Sequence, residues 1–256
     1  MATAKKTEVV TTSKNELAFS QDVPDYIKQN VGRGSEEVRT DDMVLPRLEI
    51  VQAQSPIKDE NEDAREGYLF NSVTQEVIGD IAYFIPVYYR TEYLVWKDKD
   101  EGGGFFGSFA SQMEAEERRQ KVIQENNGNP EHYEVVDTPV QYGLRVTPDG
   151  SVCEQIVISM AKSKAKVSRK WNSMIQLAGG DRFSRVYKIT TFKDENAKGN
   201  KFHNFVVQPA GFPPKALYEK AEQLYETIKG QGVRAAHDTV IDNGDESASG
   251  VDRGGI

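Results

Sequence analysis

Charge able to do chemistry concentrates in Lys162-Ser163-Lys164-Ala165-Lys166-Val167-Ser168-Arg169-Lys170-Trp171. Lysines two apart project to one side of an extended segment. Lys and Arg neutralise phosphates, serine hydroxyls donate to phosphate oxygens, and Trp171 offers a face on which a base can stack. The run does not end there. From Lys162 to His203 the chain carries eleven basic residues, Arg185 and Lys188 among them, against three acids. That window is net +8 in a chain of net charge −8, so the remainder is −16. The aromatics of Ile81–Trp96 add to the pattern. Tyr83 and Tyr89 fall on the more apolar face and are assigned to the core, whereas Phe84, Tyr88 and Trp96 share the other face with Arg90 and are the stacking candidates. The ordinary alternatives are a solvated loop for the lysines and packing beneath a helix for each aromatic.

Other chemistries find little support. His132, His203 and His237 lie far apart, in neither an HExxH nor an HxxxH spacing, and one cysteine cannot build a multi-cysteine zinc site. Cys153 sits in the alternating apolar run Val152–Met160, where a thiol is usually structural. There is no GxSxG elbow and no GxxxxGK[ST] loop. Gly102–Gly107 satisfies G-x-G-x-x-G, but the charged run Lys97–Glu101 precedes it and no βαβ series follows, so it reads as a flexible loop between strands. A metal-dependent nuclease built on Asp137, Asp149 and Glu154 has nothing in the spacing to favour it. The expectation is a protein without enzymatic activity, catalytic residues, metal or cofactor. No stretch approaches the roughly 18 apolar residues of a membrane span, and the N-terminus lacks a secretory signal. A soluble, intracellular protein in a reducing compartment is expected, with no membrane partner.

The 256 residues divide into three parts. Residues 1–42 are polar and without period, expected to be flexible apart from a short helix within Glu16–Asn30. Residues 43–232 are the ordered body. Strand signals run through Leu45–Val51, Ile81–Trp96, Tyr133–Val136, Val140–Val146 and Val152–Met160, with a hairpin of Phe183–Phe192 and Phe202–Gln208. Ile81–Trp96 is long enough to be two strands or one strongly bent strand. Helices are predicted at Phe109–Gln124, Arg169–Leu177 and Pro213–Lys229, the last opened by prolines and closed by Gly230. Residues 233–256 form an acidic, Gly- and Ser-rich tail expected to be disordered. The predicted class is mainly β (α+β), an OB-like antiparallel β-barrel with peripheral helices.

A family resemblance rests on spaced blocks: Leu45–Pro56, Gly67–Ser72, Phe84–Val87, Val95-Trp96 with Gly102–Gly104, Ser168–Asn172 and Val186–Thr191. Across residues 43–230 they resemble tailed-bacteriophage proteins taken to be single-stranded DNA-binding proteins of the replication module. The resemblance implies an oligonucleotide-binding barrel that coats unwound phage DNA during replication and recombination in the host cytoplasm. Such proteins commonly end in an acidic tail closing on an aromatic residue, whereas this chain closes with Asp252-Arg253-Gly254-Gly255-Ile256. From Asp238 onward the tail is net −4, suited to a cationic groove when nucleic acid is absent or to recruiting phage replication proteins. The expected interface is Lys162, Lys164, Lys166, Arg169, Lys170, Arg185 and Lys188 for phosphates, Trp171, Tyr88 and Trp96 for bases, and Arg90 beside them. A virion or assembly protein using the basic strip against another protein is the alternative.

Overall fold

The computed structural model describes residues 44–98, 101–150, 152–195 and 199–231, together with 34, 36 and 37. The chain divides into two units, Met1–Met43 and Val44–Ile256. The predicted Glu16–Asn30 helix and the acidic tail lie outside the described residues.

The long apolar run is one strand. Strand β4, Ala82–Lys97, lies antiparallel to β6, Tyr133–Val146, along its whole length. Pro86 cannot donate to a ladder, and the register shifts between Pro86 and Tyr88, so Val87 forms a bulge. Opposite Pro86 stands Gly143, where a Cβ would overlap the Ile85 carbonyl oxygen and the Phe84 ring. The bulge resets the alternation. Phe84 packs in one core and Ile85 and Val87 in another, on opposite faces of the sheet.

Strand β7, Cys153–Ser159, pairs with the outer edge of β6. The hairpin β8, Val186–Glu195, and β9, Lys201–Gly211, joins β4 only at Ala82–Phe84. Gly102–Gly107 is expected as a flexible loop and Phe109 as the start of a helix, but Gly104–Phe109 form strand β5, which pairs with the far end of β4. The order β7-β6-β4-β8-β9 leaves two outer edges that do not pair with each other. The fold is therefore mainly β and antiparallel with helices, as expected, but the predicted barrel is not closed by strand pairing among the described residues.

A second sheet lies between those edges. It contains β1, Leu48–Ile50, β2, Leu69–Asn71, and β3, Val77–Gly79, all antiparallel. On one side, the Val157 N–H of β7 donates to the Pro46 carbonyl at 2.9 Å. On the other, the Gln52 side chain replaces a strand. Its Nε2 donates to the His203 carbonyl and its Oε1 accepts from the His203 N–H, both at 2.8 Å. Gln52 is 6% exposed, so this clasp works in a desolvated place.

Four α-helices among the described residues cover the sheets. The short α1, Ile57–Glu60, packs beneath the small sheet with Val51, Ala64 and Phe70. Helix α2, Gln112–Glu125, starts at Ser111, whose side chain accepts from the Glu114 N–H, and buries Val122 and Ile123 near Tyr133. Helix α3, Lys164–Ala178, buries Ser168, Trp171 and Ile175 at helical spacing against Phe84, Tyr187, Ile189 and Phe205. Helix α4, Lys215–Gln231, buries Ala221, Leu224 and Ile228 on the opposite face of the sheet, against Ile85, Val87, Tyr142 and Leu144.

Two outcomes test this arrangement. Gln52→Ala removes both side-chain partners of the part-buried His203 backbone and is expected to cost about 1–3 kcal/mol in urea unfolding. Trp171→Ala empties a core position and is expected to cost about 3–5 kcal/mol. A Trp171→Ala protein of wild-type stability would contradict the packing.

Candidate nucleic-acid interface

The sequence run Lys162–Trp171 is not extended. Lys162 sits in a turn with φ +51°, and the helix begins at Lys164. Helical spacing redistributes the cations. Lys162 turns to Glu134, Nζ to Oε1 3.2 Å, and Lys164 is half-buried. Lys166, Arg169 and Lys170 are exposed on the outer side of α3, without an ion pair among the described residues. Trp171 points the other way. It is fully buried, with ring centroids 5.5 Å from both Phe84 and Tyr187, and its Nε1 has no hydrogen-bond partner among the described residues. The proposed stacking role of Trp171 is thereby overturned, because the apolar stripe of α3 that anchors the helix includes its indole.

Helix α3 carries four cations and no carboxylate over fifteen residues. Two of the cations lie in its first turn, at the positive end of the helix dipole, where acidic residues are the stabilising choice. Helix α2 shows the usual solution. Its Arg119 meets Glu116 at 2.7 Å, Arg118 meets Glu125 at 3.4 Å, and Lys121 meets Glu125 at 3.9 Å. The ridge on α3 is thus an uncompensated positive surface.

The other sequence candidates fall in separate places. Lys188 stands opposite Tyr83 in register, on the sheet face that α4 packs against, whereas α3 covers the face of Phe84 and Tyr187. The basic strip inferred from the sequence is consequently split between two faces. Arg185 lies over the ring of Phe212 at 4.8 Å, and that phenyl is 71% exposed. Arg90 lies over Tyr88 and Tyr142 at 5.3 and 5.4 Å. The half-buried Tyr88 ring also meets Tyr142 and Tyr225, so it belongs to the packing beneath α4. Trp96 packs on Phe105 at 4.8 Å, at the far end of the β4–β6 ribbon.

Sequence reasoning missed the side chains beside α3. Tyr89, assigned to the core, is half-buried, and the guanidinium of Arg182 lies 5.4 Å above its ring. Arg182 comes from a short 3₁₀ turn, Arg182–Ser184, packed against β4. Its Nη2 donates to Asn172 Oδ1 of α3 at 2.7 Å and to Gln141 Oε1 of β6. Gln141 in turn donates to Ser168 Oγ at 3.0 Å. Burial pushes the guanidinium down to about 10, against the opposing influence of Tyr187 and Tyr89, so it remains cationic at neutral pH. Arg182 lies in the basic window, but nothing in the sequence marks Gln141 or Asn172 as its partners.

The chain belongs to the Pam3 phage gp34-like family, whose model matches residues 13–234. It is a phage-type protein with a mostly β, antiparallel fold. No curated protein and no solved structure matches it significantly. No helix among the described residues is long and apolar enough to cross a membrane, and no group of metal-binding side chains occurs among them.

The electrostatics of α3 have a measurable consequence. Lys166→Glu places an acid in the first turn and is expected to stabilise the fold by about 0.3–1 kcal/mol at low ionic strength. Thermal unfolding at two salt concentrations reads this directly, and a drop in stability would show that Lys166 has a structural partner.

Proposed function

We propose that this protein is a non-catalytic, sequence-tolerant single-stranded DNA-binding protein of phage DNA replication and recombination, and that the outer side of α3 holds the strand. The observation that carries the proposal is a fifteen-residue helix with four cations, no acid, and an exposed ridge of Lys166, Arg169 and Lys170 without ion pairs among the described residues. Keeping like charges at the positive end of a helix costs stability, and an anionic polymer laid across them would relieve it. Half-buried Tyr89, under the Arg182 guanidinium that bonds Asn172 of α3, offers aromatic surface next to that helix. The resemblance to phage replication proteins supports the same assignment. Lys162, ion-paired with Glu134, and half-buried Lys164 stand at the start of the helix. Arg185 with exposed Phe212 forms a second cation–aromatic pair, and Lys188 lies on the other face of the sheet. In the host cytoplasm the acidic tail would be the contact to replication proteins.

The test is fluorescence anisotropy of a labelled oligo-dT titrated with protein at several salt concentrations, with duplex as competitor. Each neutralised phosphate is expected to add about −0.7 to the slope of log affinity against log salt. The triple variant Lys166→Glu, Arg169→Glu, Lys170→Glu is expected to lose about 2 from the magnitude of that slope. Wild-type affinity in the folded triple variant would remove α3 from the interface. No binding by the folded wild type at low salt would instead make the ridge a protein-contact surface, as in a virion or assembly role. Incubation with Mg²⁺ is expected to leave labelled DNA intact.

A further inference from the structure

Arg182 is an unusual use of arginine. A guanidinium drawn out of water normally faces a carboxylate, because desolvating a charge is costly unless it is paired. Among the described residues Arg182 makes no ion pair. Its acceptors are the neutral amide oxygens of Gln141 and Asn172, and its flat face rests on the Tyr89 ring. Both acceptors meet Nη2, Nε is buried without a partner, and Nη1 makes no bond among the described residues. The adjacent acid, Asp181, accepts the Tyr218 hydroxyl at 2.7 Å, and Glu222 and Glu226 line the same hollow as Arg182 without an ion pair to it among the described residues.

The supports are themselves held. Gln141 is fully buried and tied to Ser168, and Asn172 belongs to the same helix as the exposed cations. Two amides and an aromatic ring thus fix the plane of the guanidinium without neutralising it. A purely structural crosslink would not need the charge. A planar, oriented guanidinium whose Nη1 makes no bond among the described residues suits a phosphate oxygen.

We infer that Arg182 is a fixed anchor for one backbone phosphate of the bound strand, held against the middle of α3 beside Tyr89. This rests on the single-stranded DNA reading above, and names a contact within it. The strand would meet the mobile side chains of Lys166, Arg169 and Lys170 along the ridge, and one preorganised guanidinium where the helix meets β4.

The experiment uses the full chain as wild type, Arg182→Met and Arg182→Lys, with melting curves to establish folding. Labelled oligo-dT is titrated across salt concentrations. Arg182→Met is expected to weaken binding about tenfold at low salt. It is also expected to reduce the salt slope by about 0.7, a change that loss of a structural crosslink alone would not produce. Arg182→Lys should keep the slope. A folded Arg182→Met protein with wild-type slope and affinity overturns the anchor while leaving the DNA reading intact.

Should Arg182→Met not fold, the wild type decides. Inorganic phosphate is titrated while the arginine Nε–H resonances are followed, with that of Arg182 assigned from Arg182→Lys. A shift of the Arg182 resonance supports the anchor, and an unmoved resonance overturns it. Phosphate binding at Arg182 without any affinity for oligo-dT would keep an anion site but overturn its assignment to a DNA strand.

Discussion

Strand β4 has two unlike edges, and much of the molecule follows from that. One edge is bonded to β6 over the full length of the strand. The other is shared, with β8 taking Ala82–Phe84 and β5 taking Tyr93–Lys97. Between them a stretch of strand edge has no strand partner, and the turn carrying Arg182 packs there. A backbone left open inside a domain must find other cover. The bulge at Val87 falls at the start of this stretch, which sends Tyr88 and Arg90 towards α4 and Tyr89 towards α3.

The same economy governs the outer edges. β7 and β9 do not meet, and the three-stranded sheet stands between them, reached through Pro46 on one side and the Gln52 amide on the other. A buried side-chain amide presents one donor and one acceptor to a strand, as a neighbouring residue would. Arg145, 5% exposed, adds ion pairs to Glu154 of β7 and Glu76 beside β3. The large sheet is joined to its cover by a few desolvated polar contacts, each of which is costly to leave half made.

Charge is distributed by another principle. Helix α2 balances its cations with glutamates a turn or two away, while α3 has none to offer. Local repulsion on α3 is outweighed by what its inner side buries, including an indole clasped edge-on between two aromatic rings. Packing therefore holds a helix that electrostatics alone would weaken. In the proposed role, such a helix would be positioned for an anionic partner before one arrives. Membership of a phage family and the positive ridge are the observations on which the proposed nucleic-acid role rests.

Strand and helix types were legible from residue order because period and turn residues are local properties. Alternation marked Ile81–Trp96 and the β8–β9 hairpin, prolines and glycine marked α4, and the apolar runs marked β6 and β7, although β6 proved to be one strand where the sequence showed two. Composition alone also located the positive window. Which side of that window faces solvent could not be read, because the helix starts five residues earlier than its apolar pattern indicated. That shift turned alternating lysines into a ridge and Trp171 into core. Gly104–Phe109 became a strand only because β4 supplied an edge for it. Gln141, Asn172 and Arg182 meet across more than forty residues of chain, and no local pattern records such a meeting. Periodicity and charge are written in the order of residues; facing, burial and partnership are settled only when distant segments compete for the same surface.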